Sequence, residues 1–186
     1  MASGGTTLNY IFLKNVTMPE IQHYGGALAG YITNSTVTNC GAVKVKQTAS
    51  AEGSSITQGG LIGEANATPV KNSFIRELDS TNRKSGTQRG IGGLIGYASG
   101  LPTITSCYAE GSIATSYVNA GGIAGCTEGI ISGCRSAVDI VSSAGNLGGI
   151  AGLATSKDED YNTQASAWFG TNVYNIMNNL VTGELY

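Results

Sequence analysis

Apolar and polar residues alternate over Ala42-Val43-Lys44-Val45-Lys46, which is the period of a half-buried β-strand. Gly111-Ser112-Ile113-Ala114-Thr115 and Ala137-Val138-Asp139-Ile140-Val141 read as similar short strands. Near the start, Thr7–Val16 contains Leu8-Asn9-Tyr10-Ile11-Phe12-Leu13, an expected opening strand. The polar, poorly periodic stretches Ala51–Thr57 and Leu78–Arg89 are the expected loops.

A repeat organises these elements. Five segments align: Gly26-Ala27-Leu28-Ala29-Gly30, Gly59-Gly60-Leu61-Ile62-Gly63, Gly92-Gly93-Leu94-Ile95-Gly96, Gly121-Gly122-Ile123-Ala124-Gly125 and Gly148-Gly149-Ile150-Ala151-Gly152. Their starts are 33, 33, 29 and 27 residues apart. A second motif follows the first four, with Cys40, Ser73, Cys107 and Cys134 lying 14, 14, 15 and 13 residues after the first glycine. Linked motifs that keep register over four copies mark a repeat architecture.

Helix pairs would fit the period but not the residues. Each glycine costs about 1 kcal/mol in a helix interior, and the units are rich in Thr, Val, Ile and Asn. The expectation is an all-β, parallel, right-handed β-solenoid of about five coils, since one coil cannot bury its apolar face alone and must stack on the next. The Leu or Ile of each glycine motif forms one inward ladder, and the column Cys40, Ser73, Cys107, Cys134 forms another as small, reduced, buried side chains. The repeat glycines serve tight corners, positive φ and close approach of coils. A disulfide between neighbouring coils is the alternative for the thiols. Cys126 stands outside the column, at a position held elsewhere by Tyr31, Glu64, Tyr97 and Leu153, which leaves open an exposed thiol.

Organisation along the chain follows. Residues 1–24 form a leader and first strand, 25–160 the repeats, and 161–186 a C-terminal cap in which Trp168 and Phe169 pack on the last coil. A solenoid end exposes strand edges and core residues, so it needs such a cover. The opening Met1-Ala2-Ser3-Gly4-Gly5 lacks the regions of a secretion signal and reads as an added start on an excised fragment.

Composition narrows the function classes. Charged residues are 12% of the chain, about half the usual share. Net charge is −2 and no Lys/Arg block appears, so nucleic acid is not an expected partner. No apolar run reaches membrane-spanning length, so direct membrane insertion is not expected either.

The glycine segments, each followed by a strand of the type Cys107-Tyr108-Ala109-Glu110-Gly111-Ser112-Ile113, resemble the GLUG repeats of bacterial surface proteins. The resemblance spans roughly residues 21–155. The first copy departs from it at Ala27, and the fifth lacks a clear Cys-type strand. Such repeats occur in adhesin-like proteins and beside the peptidase domain of immunoglobulin A1 proteases. The resemblance implies an extracellular or cell-surface β-helical stalk or binding region, and it brings no catalytic residues.

No other pattern demands chemistry. His23 is the sole histidine and reads as a surface residue, and a zinc-peptidase His-Glu-x-x-His motif is missing. The cysteines form no zinc pattern. Gly90-Ile91-Gly92-Gly93-Leu94-Ile95-Gly96 misses the dinucleotide fingerprint by one place. Asp158-Glu159-Asp160 reads as a solvated acidic loop rather than a calcium site. Three glycosylation sequons, at Asn15, Asn34 and Asn66, are expected by chance in so Asn- and Thr-rich a chain. The ice-binding Thr-x-Thr pattern of Thr36-Val37-Thr38 and Thr103-Ile104-Thr105 is interrupted by the coils between and after them.

The expected function is therefore non-catalytic. It is an extracellular stalk or adhesive module of a larger bacterial surface protein, without cofactor or metal, joined to flanking domains of its parent and partnered by a host or cell-surface protein or glycan. The alternatives are a carbohydrate-binding or carbohydrate-active β-helix, and then a self-assembling fibre subunit. Aromatic side chains and carboxylates along one face would favour the carbohydrate reading.

Overall fold

A computed structural model describes residues 4–49, 56–82, 90–116, 119–142, 146–154, 176–177 and 180–182. Among them there are strands and turns and no helix. The chain is an all-β parallel solenoid.

It enters through β1 (Thr7–Asn9) and β2 (Phe12–Met18). The first circuit is β3 (Tyr24–Gly25), β4 (Ala29–Thr33), β5 (Thr36–Thr38) and β6 (Gly41–Ala49). The second is β7 (Thr57–Gly59), β8 (Ile62–Asn66), β9 (Val70–Lys71) and β10 (Phe74–Asn82). The third is β11 (Gly90–Gly92), β12 (Ile95–Ser99), β13 (Thr103–Thr105) and β14 (Tyr108–Thr115). The fourth is β15 (Asn119–Gly121), β16 (Ala124–Thr127), β17 (Ile130–Ser132) and β18 (Arg135–Ser142). β19 (Asn146–Gly148), β20 (Ala151–Ala154), β21 (Ile176–Met177) and β22 (Leu180–Val181) follow.

Every fourth strand stacks in parallel. Sheet I is β3-β7-β11-β15-β19 and sheet II is β4-β8-β12-β16-β20. Sheet III is β1-β5-β9-β13-β17-β21 and sheet IV is β2-β6-β10-β14-β18-β22. Residues 57–82, 90–115 and 119–142 make three turns in which all four strands are paired on both sides. The expected count of about five coils thus reduces to about three fully enclosed turns, because β3 and β4 at one end and β19 and β20 at the other are sheet edges.

The interior is built from single-residue ladders. Val37, Val70, Ile104 and Ile131 are in register and fully buried in sheet III. Leu61, Leu94 and Ile123 of the glycine motifs are equally buried. Each coil turns from sheet III to sheet IV through one residue in the left-handed region: Tyr10, Asn39, Asn72, Ser106 and Gly133, with φ of 56°, 53°, 49°, 54° and 60°. Gly adopts that conformation freely, and Asn more readily than most side chains. The expected single opening strand breaks into β1 and β2 at the first such corner, Tyr10.

Two further expectations change. Leu78–Asn82 belongs to β10 rather than to a loop, and Thr57 begins β7. Two polar residues of β10 turn inward: Ser80 and Asn82 are buried, Gln58 Nε2 donates to Ser80 Oγ at 2.8 Å, and Asn82 Nδ2 donates to Gln58 Oε1 at 3.3 Å. From the expected capping segment, β21 and β22 extend sheets III and IV. Trp168, Phe169 and the acidic Asp158-Glu159-Asp160 lie outside the described residues.

Candidate functional site

The repeat glycines answer three different steric demands. A Cβ on Gly59, Gly92 or Gly121 would lie 2.0, 1.9 or 2.0 Å from the carbonyl oxygen of Ile62, Ile95 or Ala124, three residues along the same arch. A Cβ on Gly60, Gly93 or Gly122 would lie 2.2, 2.1 or 2.2 Å from the carbonyl oxygen of Gly93, Gly122 or Gly149 in the next coil. A Cβ on Gly63, Gly96, Gly125 or Gly152 would meet sheet I backbone, for example Ile91 N at 2.2 Å from residue 125. Gly26, Gly30 and Gly148 are crowded by backbone carbonyl oxygens, and Gly149 by Val181. None of these glycines has positive φ. Close approach alone explains them, and the left-handed corners fall to the Asn, Ser and Gly positions before the Cys column. Ala27 replaces the second glycine in the circuit whose β3 and β4 are edge strands.

The column Cys40, Ser73, Cys107, Cys134 is buried throughout, and all four cysteines of the chain are free thiols. Its residues also close the corner. The Cys40 thiol donates to Thr38 O at 3.2 Å, Ser73 Oγ to Lys71 O at 2.9 Å, and the Cys107 thiol to Thr105 O at 3.3 Å. Each bond spans the left-handed residue between. Between coils, Cys40 N–H donates to Ser73 Oγ at 3.2 Å and Cys107 N–H to Cys134 Sγ at 3.4 Å. A small side chain that both donates and accepts is what the position requires, so Ser and Cys interchange there. The hydrogen bond to Cys134, and then burial, hold the Cys107 thiol well above its ordinary value.

Cys126 is not exposed. It is buried between its register partners Tyr97 and Leu153. These larger neighbours on both adjacent coils cover the small side chain. The Tyr97 hydroxyl donates to Glu128, whose other oxygen accepts the Gly100 N–H at 2.7 Å. His23 is exposed. Among the described residues no group of three or more His, Cys, Asp and Glu is placed to hold a metal.

The outer face of sheet IV differs from the rest of the surface. The residue after each column position points outward, giving the register series Phe12, Gly41, Phe74, Tyr108, Arg135, Leu180. Phe12 and Leu180 are 63% and 51% exposed, so these side chains are not core residues. Across the gap at Gly41 the rings of Phe12 and Phe74 stand 6.0 Å apart, tilted by 32°. The Arg76 guanidinium lies 5.7 Å from the Phe74 ring centroid and 5.5 Å from that of Tyr108, and Arg135 lies 5.9 Å from Tyr108. Glu110 braces the series: the Tyr108 hydroxyl donates to it at 2.9 Å, and Arg76 Nε stands 4.0 Å away. Burial, and then the bond to Glu110, raise the Tyr108 phenol above its ordinary value.

Beside the rings runs an amide ladder at the corner, where Asn72 Nδ2 donates to Asn39 Oδ1 at 3.3 Å and Asn39 Nδ2 to Asn9 Oδ1 at 3.1 Å. Sequence reasoning did not assemble this face, although strand alternation carries the signal: if Cys107 points in, Tyr108 points out.

One repeat unit matches a known family model. Residues 87–114, which hold Gly92-Gly93-Leu94-Ile95-Gly96 and the strand beginning at Tyr108, match the model of the GLUG motif. This unit is a GLUG motif. The other glycine motifs occupy equivalent places in the stack, one per circuit, in sheets I and II. Neither a curated protein nor a solved structure matches the chain.

Proposed function

We propose that this GLUG-repeat region is a non-catalytic, extracellular stalk or adhesive module of a larger bacterial surface protein. The observation that carries the reading is the ring and guanidinium series on the outer face of sheet IV. The Phe12 ring is exposed and those of Phe74 and Tyr108 are half-buried, and all three are held in line by the stacked backbone beneath them. A contiguous exposed patch of this kind marks an interaction surface. A rigid stack also suits a spacer, since each coil adds length and presents a surface. In this reading a C-terminal segment caps the last coil.

The same series favours carbohydrate as the bound class over the fibre-subunit alternative, because rings, guanidiniums and a carboxylate alternate along one face. Two measurements test the reading. Purified protein incubated with a polysaccharide panel should release no new reducing ends. Immobilised protein should retain bacterial or host cells. Turnover of any polysaccharide would overturn the non-catalytic reading, and failure to retain any cell type would overturn the adhesive one.

A further inference from the structure

We infer that the outer face of sheet IV binds one extended acidic glycan, a chain of uronate residues, laid across the coils from Phe12 toward Arg135. The inference rests on the adhesive reading above and names its ligand.

Shape is the first argument. Adjacent coils are about 4.8 Å apart, close to the advance of one pyranose ring along an extended chain, so successive sugars meet successive coils. The series Phe12, Phe74 and Tyr108 runs along the stack rather than across it. A sugar face presents weakly positive C–H groups, which the negative face of an aromatic ring attracts. Gly41 matters here because the Phe74 ring lies over it, which brings that ring within 6.0 Å of Phe12 and makes the two a continuous apolar platform.

Polar groups flank the rings on both sides. Toward sheet III stands the amide ladder of Asn9, Asn39 and Asn72, able to donate to and accept from hydroxyl groups. On the other side, Lys14, Val43, Arg76 and Glu110 form the next outward positions.

Charge selects the acidic class. In the ring column and the column beside it, Lys14, Arg76 and Arg135 stand against Glu110 alone, in a chain whose net charge is −2. Further along the strands charges of both signs occur, and Lys46 and Asp79 pair at 3.6 Å. Arginine also offers planar, bidentate donors that match a carboxylate. The two arginines are already oriented by their rings.

The experiment uses the full chain and a galacturonate hexasaccharide, with cellohexaose as the neutral comparator, followed by calorimetry and by amide chemical shifts. The hexauronate should bind saturably, more weakly as salt rises, and perturb strand residues of β6, β10, β14 and β18. Phe74→Ala and Tyr108→Ala should each weaken it by about tenfold or more, and Arg135→Gln should weaken it and flatten the salt dependence. Thr103→Ala, on sheet III, should leave it unchanged. Each variant is first checked for an unaltered melting transition. Several results would overturn the inference: no saturable uronate binding, binding indifferent to the ring variants, or cellohexaose binding as tightly with Arg135→Gln silent. Cell retention that survives Phe74→Ala/Tyr108→Ala would leave the adhesive reading standing and sink this one. A shift to dimer that depends on the rings would assign the face to a second copy of the chain instead.

Discussion

The ring of Phe74 lies directly over Gly41, so closely that a Cβ at residue 41 would stand 2.4 Å from its Cε1. The crowding atom is the far edge of a side chain that can swing. Gly41→Ala should therefore cost little stability, about 1 kcal/mol or less, while pushing Phe74 away from Phe12. NMR contacts between the two rings should vanish while the melting temperature stays close to the parent's. A large loss of stability would mean that Phe74 cannot yield.

Gly93 presents the opposite case. Its Cβ would meet the Gly122 carbonyl oxygen at 2.1 Å, and that oxygen belongs to the backbone of the next coil. Gly93→Ala must push neighbouring coils apart and strain the bonds from Gly93 N–H to Gly121 O and from Leu94 N–H to Ile123 O. A destabilisation of about 3 kcal/mol follows from overpacking of this kind. Denaturant titration of the two glycine variants side by side would rank them, and an equal ranking would contradict the steric account.

Gly133 tests the corner. It sits at φ 60°, a Cβ there would approach nothing closer than Ser106 at 3.9 Å, and the matching residue two circuits earlier is Asn72. Gly133→Asn should be near neutral, because Asn tolerates the left-handed region and has less freedom to lose on folding. Gly133→Val should cost about 1–2 kcal/mol. Thermal melts of both variants distinguish this from a purely steric role, for which the two would behave alike.

Removing the Ser73 hydroxyl leaves the buried Cys40 N–H without its acceptor and takes one of two donors from Lys71 O, which also accepts the Asn39 N–H at 3.1 Å. Ser73→Ala should cost about 1–3 kcal/mol, and Ser73→Cys much less, since the thiol restores both bonds in weaker form. All four native thiols should react slowly with a thiol reagent and fully after unfolding. Rapid native labelling would contradict their burial.

The Cys107 thiol holds its proton more tightly in the folded state than the ordinary value of 9.0. A group whose folded value is raised supports stability fully below its unfolded value and loses that support as pH rises toward the folded one. Stability should therefore begin to fall above about pH 9, and Cys107→Ser should flatten that region of the profile. Unfolding curves across the alkaline range check it; an identical slope in the variant would dissociate the loss from Cys107.

The repeat, the parallel stack and the inward Cys/Ser column were legible in the chain because each is a local pattern repeated in register. Copies that hold their spacing must stack equivalent residues, and a strand's period of two fixes which of them face inward. The same logic, carried one residue further, puts Phe74, Tyr108 and Arg135 outside. What each residue meets there depends on neighbours in other coils, and only the tertiary structure supplies those. It decided that the repeat glycines answer to close backbone approach rather than to positive φ, because the clashing carbonyls belong to other strands and other coils. It decided that Cys126 is covered, by Tyr97 and Leu153 from adjacent turns. It made a strand of Leu78–Asn82, whose polar side chains look like a loop until Gln58, 22 residues from Ser80, is placed within hydrogen-bonding distance of them. A sequence states how polar a side chain is, but whether that polarity is satisfied inside or left to water is settled only when distant strands come together.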